Sequence, residues 1–158
     1  IQGFQLKIMG DGPLSDDLRS YVDNEKIANV EFLGFVSSKE YLRYMQGASF
    51  LVIPSVCYEN FPCIVSEALA CGIPILASNL GGMSEIIKDR ETGFLFRVGD
   101  VDDLVEKIKL AINSKDTLRK MRENVLKEYE AKYTPEENHK TLLTVYSRAT
   151  QYRLTRKV

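Results

Sequence analysis

Histidine occurs once in the 158 residues, at His139. A nucleophile triad that needs an imidazole base, or a metal site built from several histidines, is thereby excluded unless this one residue serves. It falls late in the chain among charged helix-forming residues, where a solvated helix histidine is the expected role. Cysteine is scarce and odd in number: Cys57, Cys63 and Cys71, with no Cys-x-x-Cys pair. That pattern speaks against a disulfide framework or a zinc site and fits a reducing cytosol. Excess charge is also lacking. With 21 Lys+Arg against 22 Asp+Glu, the formal net charge of -1 argues against broad nucleic-acid binding. No apolar run approaches the roughly 20 residues needed to cross a bilayer, and no signal-peptide pattern opens the chain. The expected location is the cytoplasm, at most peripheral to the inner face of a membrane. Ile1 is not an initiator methionine and a strand-like run follows almost at once, as in the interior of a longer protein.

What is present is one domain's worth of chain, long enough to bury about 70% of its unfolded surface without staples. Short apolar runs alternate with helix-period segments. Phe4–Met9 reads as a strand closed by Gly10-Asp11-Gly12-Pro13, then Ser15–Asn24 as a helix with Asp16 and Asp17 in its first turn. Val30–Leu33 is a second strand. Ser37-Ser38-Lys39-Glu40 is a capping-box pattern that starts a helix. Ser49–Ile53 is nearly all apolar and ends at Pro54, which predicts the buried central strand of a parallel sheet. A helix over Pro62–Cys71 follows, then strands at Ile75–Ala77 and Gly93–Phe96 around a short helical turn at Gly81–Lys88. This alternation predicts a doubly wound α/β sheet.

Beyond Gly99 strand signals stop, and helices are expected over Val101–Asn113, Thr117–Lys132 and Pro135 to about Tyr152. Thr134 is the expected cap of the last, with Glu137 completing its box. The chain is therefore read as a Rossmann-like region over 1–99 and a helical appendage over 100–158 packing on it. Acids end at Glu137, whereas Lys140, Arg148, Arg153, Arg156 and Lys157 follow. A solvated terminal helix accounts for this, and a weak contact with anionic lipid or a partner domain is the sharper reading.

In open α/β sheets ligands bind beyond the carboxyl ends of the strands, so the loop after Ile53 is the place to look. It reads Pro54-Ser55-Val56-Cys57-Tyr58-Glu59-Asn60-Phe61, and a helix opens at Pro62-Cys63-Ile64. A helix start offers unpaired N–H groups and the positive end of a dipole to a phosphate; Pro62 has no N–H, leaving Cys63 and Ile64 as donors. The loop has neither a Walker motif nor a dinucleotide fingerprint, so ATPase and dehydrogenase chemistry are not indicated. Glu59 and Glu67 bracket the helix start. Glu67 leans back toward the first turn, and an ionised carboxylate accepts two hydroxyls, as a vicinal diol presents. Stabilisation of the helix dipole is an equally simple role for both acids.

Glu59-x7-Glu67, within Pro54-Ser55, Glu59-Asn60-Phe61-Pro62 and Glu67-Ala68-Leu69-Ala70-Cys71-Gly72-Ile73-Pro74, resembles the Glu-x7-Glu region of the retaining GT-B enzymes called glycosyl transferases group 1. Gly10-Asp11-Gly12-Pro13, Phe32-Leu33-Gly34-Phe35-Val36, Gly81-Gly82-x-x-Glu85 and Thr92-Gly93-Phe94-Leu95 agree with it, in order, from about Gln5 to Asp102. The resemblance implies the donor-binding C-terminal half of a GT-B fold. Such an enzyme moves a sugar from a nucleoside diphosphate to an acceptor with retention, in glycan, polysaccharide or glycolipid synthesis. It implies a nucleotide-sugar donor such as a UDP- or GDP-sugar, no metal and no other cofactor. Carried over, Glu59 meets hydroxyls of the transferred sugar and is the catalytic-site candidate, while Glu67 meets the ribose. Backbone at Phe61, Cys63 and Ile64 faces the diphosphate, Phe35 and Val36 the nucleobase, and Gly12 gives close approach beside the donor or is simply a turn glycine. The family's usual glycines after the first Glu and after the Phe are here Asn60 and Pro62. The same resemblance places the family's first strand–helix unit, with its Arg and Lys, and the acceptor-binding N-terminal half ahead of Ile1, so that this part alone is expected to be inactive. A receiver-type, flavodoxin-like binding module is the alternative, but it wants an acidic cluster at strand ends where this chain has Pro54-Ser55. A sugar-nucleotide epimerase would need histidines and acids that are lacking here.

Overall fold

A computed structural model of the chain describes residues 4–155, so the expectations that concern Ile1, Arg156 and Lys157 lie outside the described residues. Two compact units divide between Ala48 and Ser49. The change of composition at Gly99 does not coincide with that division.

The first unit holds β1 (Leu6–Met9), α1 (Ser15–Asn24), β2 (Val30–Gly34) and α2 (Ser38–Gly47). β1 and β2 pair in parallel, with Leu6 opposite Val30 and Ile8 opposite Phe32. The connection through α1 makes this one βαβ unit. Its strands are no more than half-buried, and polar stems cover the apolar rings: the Arg19 guanidinium lies 4.7 Å from the Phe32 ring centre and the Lys7 ammonium 5.1 Å from that of Tyr44. The capping box at α2 forms as expected. Ser37 Oγ accepts from the Glu40 N–H, and the Glu40 carboxylate accepts from the Ser37 hydroxyl at 2.6 Å and the Ser37 N–H at 3.2 Å, in that order the causes that hold this carboxyl below its usual pKa.

The second unit contains β3 (Leu51–Ile53), α3 (Cys63–Ala70), β4 (Ile75–Ser78), α4 (Gly82–Ile86), β5 (Gly93–Phe96), α5 (Val101–Asn113), α6 (Lys115–Lys132) and α7 (Pro135–Thr155). Its sheet is parallel in the order β3-β4-β5. Here the structure corrects the sequence reading. The Leu51–Ile53 strand was expected at the centre of the sheet, yet within this three-stranded sheet it pairs, among the described residues, with β4 alone and is half-buried; β4 lies in the middle with all four residues buried. Both runs are apolar, and periodicity cannot rank two short apolar strands by depth.

Leu76, Phe94, Ala111 and Met121 form a buried cluster flanked by Phe50, Val52, Ile108 and Leu118, so α5 and α6 close one face of the sheet. Val65, Ala68 and Leu69 of α3 are buried as well. α3 ends in a Schellman turn: Ile73 N–H reaches Ala68 O at 2.9 Å and Gly72 N–H reaches Leu69 O at 3.0 Å. Gly72 is there at φ +66, and a Cβ on it would stand 2.9 Å from Leu126 Cγ of α6. The glycine thus both ends the helix and lets α6 pack across it.

Caps define the three last helices. Asp100 Oδ1 accepts from Asp103 N–H at 2.9 Å, Ser114 Oγ from Thr117 N–H at 3.2 Å and Thr134 Oγ1 from Glu137 N–H at 3.2 Å. Glu137 was expected to reach back to its cap; its carboxylate instead pairs with Lys140, one turn on. Glu128 of α6 is clamped between Lys88 Nζ at 2.7 Å and Lys132 Nζ at 2.6 Å, and Asn124 donates to Glu91 O at 3.0 Å. These bonds tie α6 to the segment that leads into β5.

The two lysines hold the Glu128 carboxyl below its ordinary 4.5, Lys132 first and Lys88 second. A carboxyl lowered on folding contributes stability above its unfolded pKa and loses it as pH falls through the folded value. Denaturant unfolding between pH 6 and pH 2.5 is therefore expected to show a steeper acid loss in the native chain than in Glu128→Gln. Equal slopes would show that the clamp contributes nothing to acid stability.

Candidate functional site

β3 delivers the chain to Pro54, and residues 54–62 form the loop beyond its carboxyl end. Pro62 was expected to be the first helical residue. It is the N-cap instead, with φ -64 and ψ 134, and its carbonyl accepts from Val65 N–H at 3.0 Å. The missing proline N–H therefore removes no first-turn donor, and Cys63 and Ile64 hold the leading N–H groups, which have no acceptor within a helix. Both sit where the positive end of the dipole is strongest. Cys63 is exposed and Ile64 half-buried.

The loop is held from behind by the turn between β4 and α4. Gly82 N–H donates to Glu59 O at 2.9 Å. A Cβ on Gly82 would lie 1.8 Å from Asn60 O, and one on Gly81, at φ +54, would lie 2.9 Å from Glu59 O. This glycine pair lets one backbone approach the other closely enough to set where Glu59 emerges.

Glu59 and Glu67 are both exposed, but they line different depressions. Glu59 shares a tight one with Ser55, Cys57, Ser78, Leu80 and Met83 at the carboxyl end of the sheet. Glu67 shares a groove of about 720 Å³ with Phe61, Ser66, Ala70 and residues of α6 and α7, among them Lys132, Tyr133 and Asn138. The two acids that bracket the helix start thus line two separate depressions. Phe61 stacks on Tyr133 at 5.6 Å between ring centres, and burial pushes the Tyr133 phenol above its usual pKa, so the hydroxyl stays protonated. Lys132, facing the groove, is held protonated by Glu128.

The other predicted residues belong to the first unit. Gly12 N–H is shared between Asp11 Oδ1 at 2.8 Å and Ser15 Oγ at 3.0 Å; the Ser15 hydroxyl, donating to Asp11 Oδ1 at 2.6 Å, and after it the Gly12 N–H keep the Asp11 carboxyl below its usual range. Gly12 O accepts from Ser15 N–H at 3.0 Å in the turn that leads into α1. Phe35 is 94% exposed directly after Gly34 at φ +63, and Val36 is half-buried. His139 is exposed on α7. Ser55, Ser78, Lys132 and Tyr133 are the residues that sequence reasoning missed. Ser78 had a signal, a hydroxyl ending an otherwise apolar buried strand; the α6 residues had none, since only folding brings them to α3. Among the described residues no group of three or more His, Cys, Asp or Glu is placed to hold a metal ion, and no helix is long and apolar enough to cross a membrane.

Comparison with known proteins bears on the family and the fold. The family model described as "Glycosyl transferases group 1" matches residues 1–128. An uncharacterized glycosyltransferase of Methanocaldococcus jannaschii is 34% identical over 131 residues, 83% of this chain and 37% of that protein. N-acetyl-alpha-D-glucosaminyl L-malate synthase of Bacillus anthracis is 30% identical over 120 residues, 75% of this chain and 31% of that protein. The chain thus spans well under half the length of these relatives. Among solved structures, sucrose-phosphate synthase of Thermosynechococcus elongatus superposes with a TM-score of 0.80 at 24% identity, covering 94% of this chain and 39% of the other. Anabaena HepE in complex with UDP superposes at 0.78 with 22% identity, covering 91% and 41%. The α/β fold with parallel sheets and a C-terminal helix is the one these structures share, and the receiver-type alternative is left without support.

Gly82→Ala is expected to destabilise the protein by about 1–3 kcal/mol, since its methyl must displace the Asn60 carbonyl. Gly12→Ala, with nothing within 4 Å of its Cβ, should stay within about 0.5 kcal/mol of the parent. Urea midpoints of the two variants check this contrast.

Proposed function

Because the chain belongs to the glycosyl transferases group 1 family, we propose that it binds the nucleotide-sugar donor of a retaining sugar transferase. The observation that carries this reading is the opening of α3 at Cys63, with first-turn N–H groups aimed at the loop and an exposed carboxylate on either side, Glu59 and Glu67. A nucleoside diphosphate sugar is long, with two polyols separated by two phosphates. Two exposed acids about a helix N-terminus, each able to accept a pair of hydroxyls, match that order of groups.

In this reading the diphosphate lies against the backbone of Phe61, Cys63 and Ile64, where the α3 dipole favours negative charge. The same groups then stabilise the charge that develops on the leaving diphosphate as the glycosidic bond to it breaks. Glu67 accepts hydroxyls of the ribose, and Glu59 accepts hydroxyls of the sugar and orients it. Attack by the acceptor from the face the diphosphate leaves retains the configuration without an enzyme nucleophile, and in that course Glu59 is an orienting group. HepE is described in complex with UDP and with UDP-glucose, which supports a uridine or related nucleotide as the class to test first. Since the chain covers 37% and 31% of the relatives above, donor binding and not the whole transfer is assigned to it.

Calorimetry of the intact protein with a nucleotide and its sugar conjugate separates the two acids. Glu67→Ala is expected to weaken both ligands roughly tenfold, the cost of a lost charged hydrogen bond, whereas Glu59→Ala weakens only the conjugate. Equal losses for both ligands in both variants would sink the assignment.

A further inference from the structure

Asn60 stands between Glu59, whose carboxylate takes hydroxyls of the sugar in the donor-binding reading, and Phe61, whose backbone faces the diphosphate. Its Cα is one peptide, about 3.8 Å, from each of theirs. A short side chain anchored between those two contacts stays within reach of the bond that joins the sugar to its diphosphate. The anchor is fixed on both sides. Gly82 N–H donates to Glu59 O at 2.9 Å, and the Asn60 carbonyl fills the space where a Cβ on Gly82 would lie 1.8 Å from its oxygen. On the other side the Phe61 ring packs on Tyr133 at 5.6 Å.

The fold makes use of the Asn60 carbonyl but not of its side chain. A following proline favours extended backbone at Phe61, and along an extended chain successive side chains point to opposite faces, which turns Asn60 away from the groove that Phe61 enters. Asn60 accordingly lines neither depression; it is exposed, and its amide makes no hydrogen bond among the described residues. The close contact with Gly82 runs through main chain, so it would accept the family's usual glycine at this position equally well. What asparagine adds is chemistry that Glu59 lacks: an ionised carboxylate only accepts, whereas a primary amide also donates two N–H groups. We propose that Asn60 determines sugar specificity, its Nδ2 donating to an oxygen substituent of the transferred sugar beside the hydroxyls that Glu59 accepts. Together the two side chains read one arrangement of adjacent oxygens in preference to its epimer. The inference rests on the donor-binding reading above.

The test is calorimetry of the intact protein with two epimer pairs, UDP-glucose with UDP-galactose and GDP-glucose with GDP-mannose, each beside its free nucleotide. Asn60→Ala removes the side chain, and Asn60→Leu keeps its branched outline without the polar groups. Both variants are expected to weaken the conjugate that the parent binds best roughly three- to tenfold, the range of a lost neutral hydrogen bond, and to leave the free nucleotide as it was. The ratio between that conjugate and its epimer should narrow by a similar factor, because the disfavoured sugar never made the bond. Parent-like discrimination in either variant, or equal loss of nucleotide and conjugate, would overturn the inference. So would a parent that binds a nucleotide yet shows no preference between its epimeric conjugates. If the parent binds none of the four donors and neither nucleotide, it is the donor-binding reading that fails, and this inference with it.

Discussion

The second unit depends on how closely two backbones approach. Gly82 donates to the Glu59 carbonyl while its missing Cβ leaves space for the Asn60 carbonyl, and Gly81 turns the chain at φ +54 to make that possible. Any side chain there would push the 54–62 loop outward. That loop presents Glu59, seats Phe61 on Tyr133 and hands the chain to Pro62 for the start of α3. The site is therefore built on a contact that carries no side chain, where a shift of one ångström is felt by every group the loop presents.

The remainder of the unit makes that contact rigid. β4 is buried along its whole length, so the turn that leaves it starts from a fixed point. α6 packs on the sheet through Met121 and across Gly72 at the end of α3, which fixes the C-terminal end of the helix whose first turn faces the loop. The Glu128 clamp lies at the surface of this packing. Such pairs contribute little to stability, about 0–1 kcal/mol when solvated, so its value is mostly orientational, keeping α6 over the segment that enters β5.

Much of the layout was legible in the residues. α5 begins and ends where its pattern said, at Val101 and Asn113, because Asp100 caps it and an apolar stripe of period 3.6 runs its length. The Ser37–Glu40 box and the strand Gly93–Phe96 were equally plain, each declared by local chemistry. Pro62 was misplaced by one position, since proline is as comfortable in the extended geometry of a cap as in a first helical turn. The depths of β3 and β4 were exchanged because burial belongs to a strand's neighbours and not to its composition.

For the candidate site the line falls in the same place. Residue types and spacing alone determined that two acids flank a helix start beyond a strand, because carboxylates, a proline and an apolar run are properties of consecutive positions. Folding alone decided that Glu59 and Glu67 line different depressions and that Tyr133 and Lys132 share a groove with Phe61. Those facts join residues tens of positions apart, and only the packing of α4 and α6 against the sheet brings them within reach.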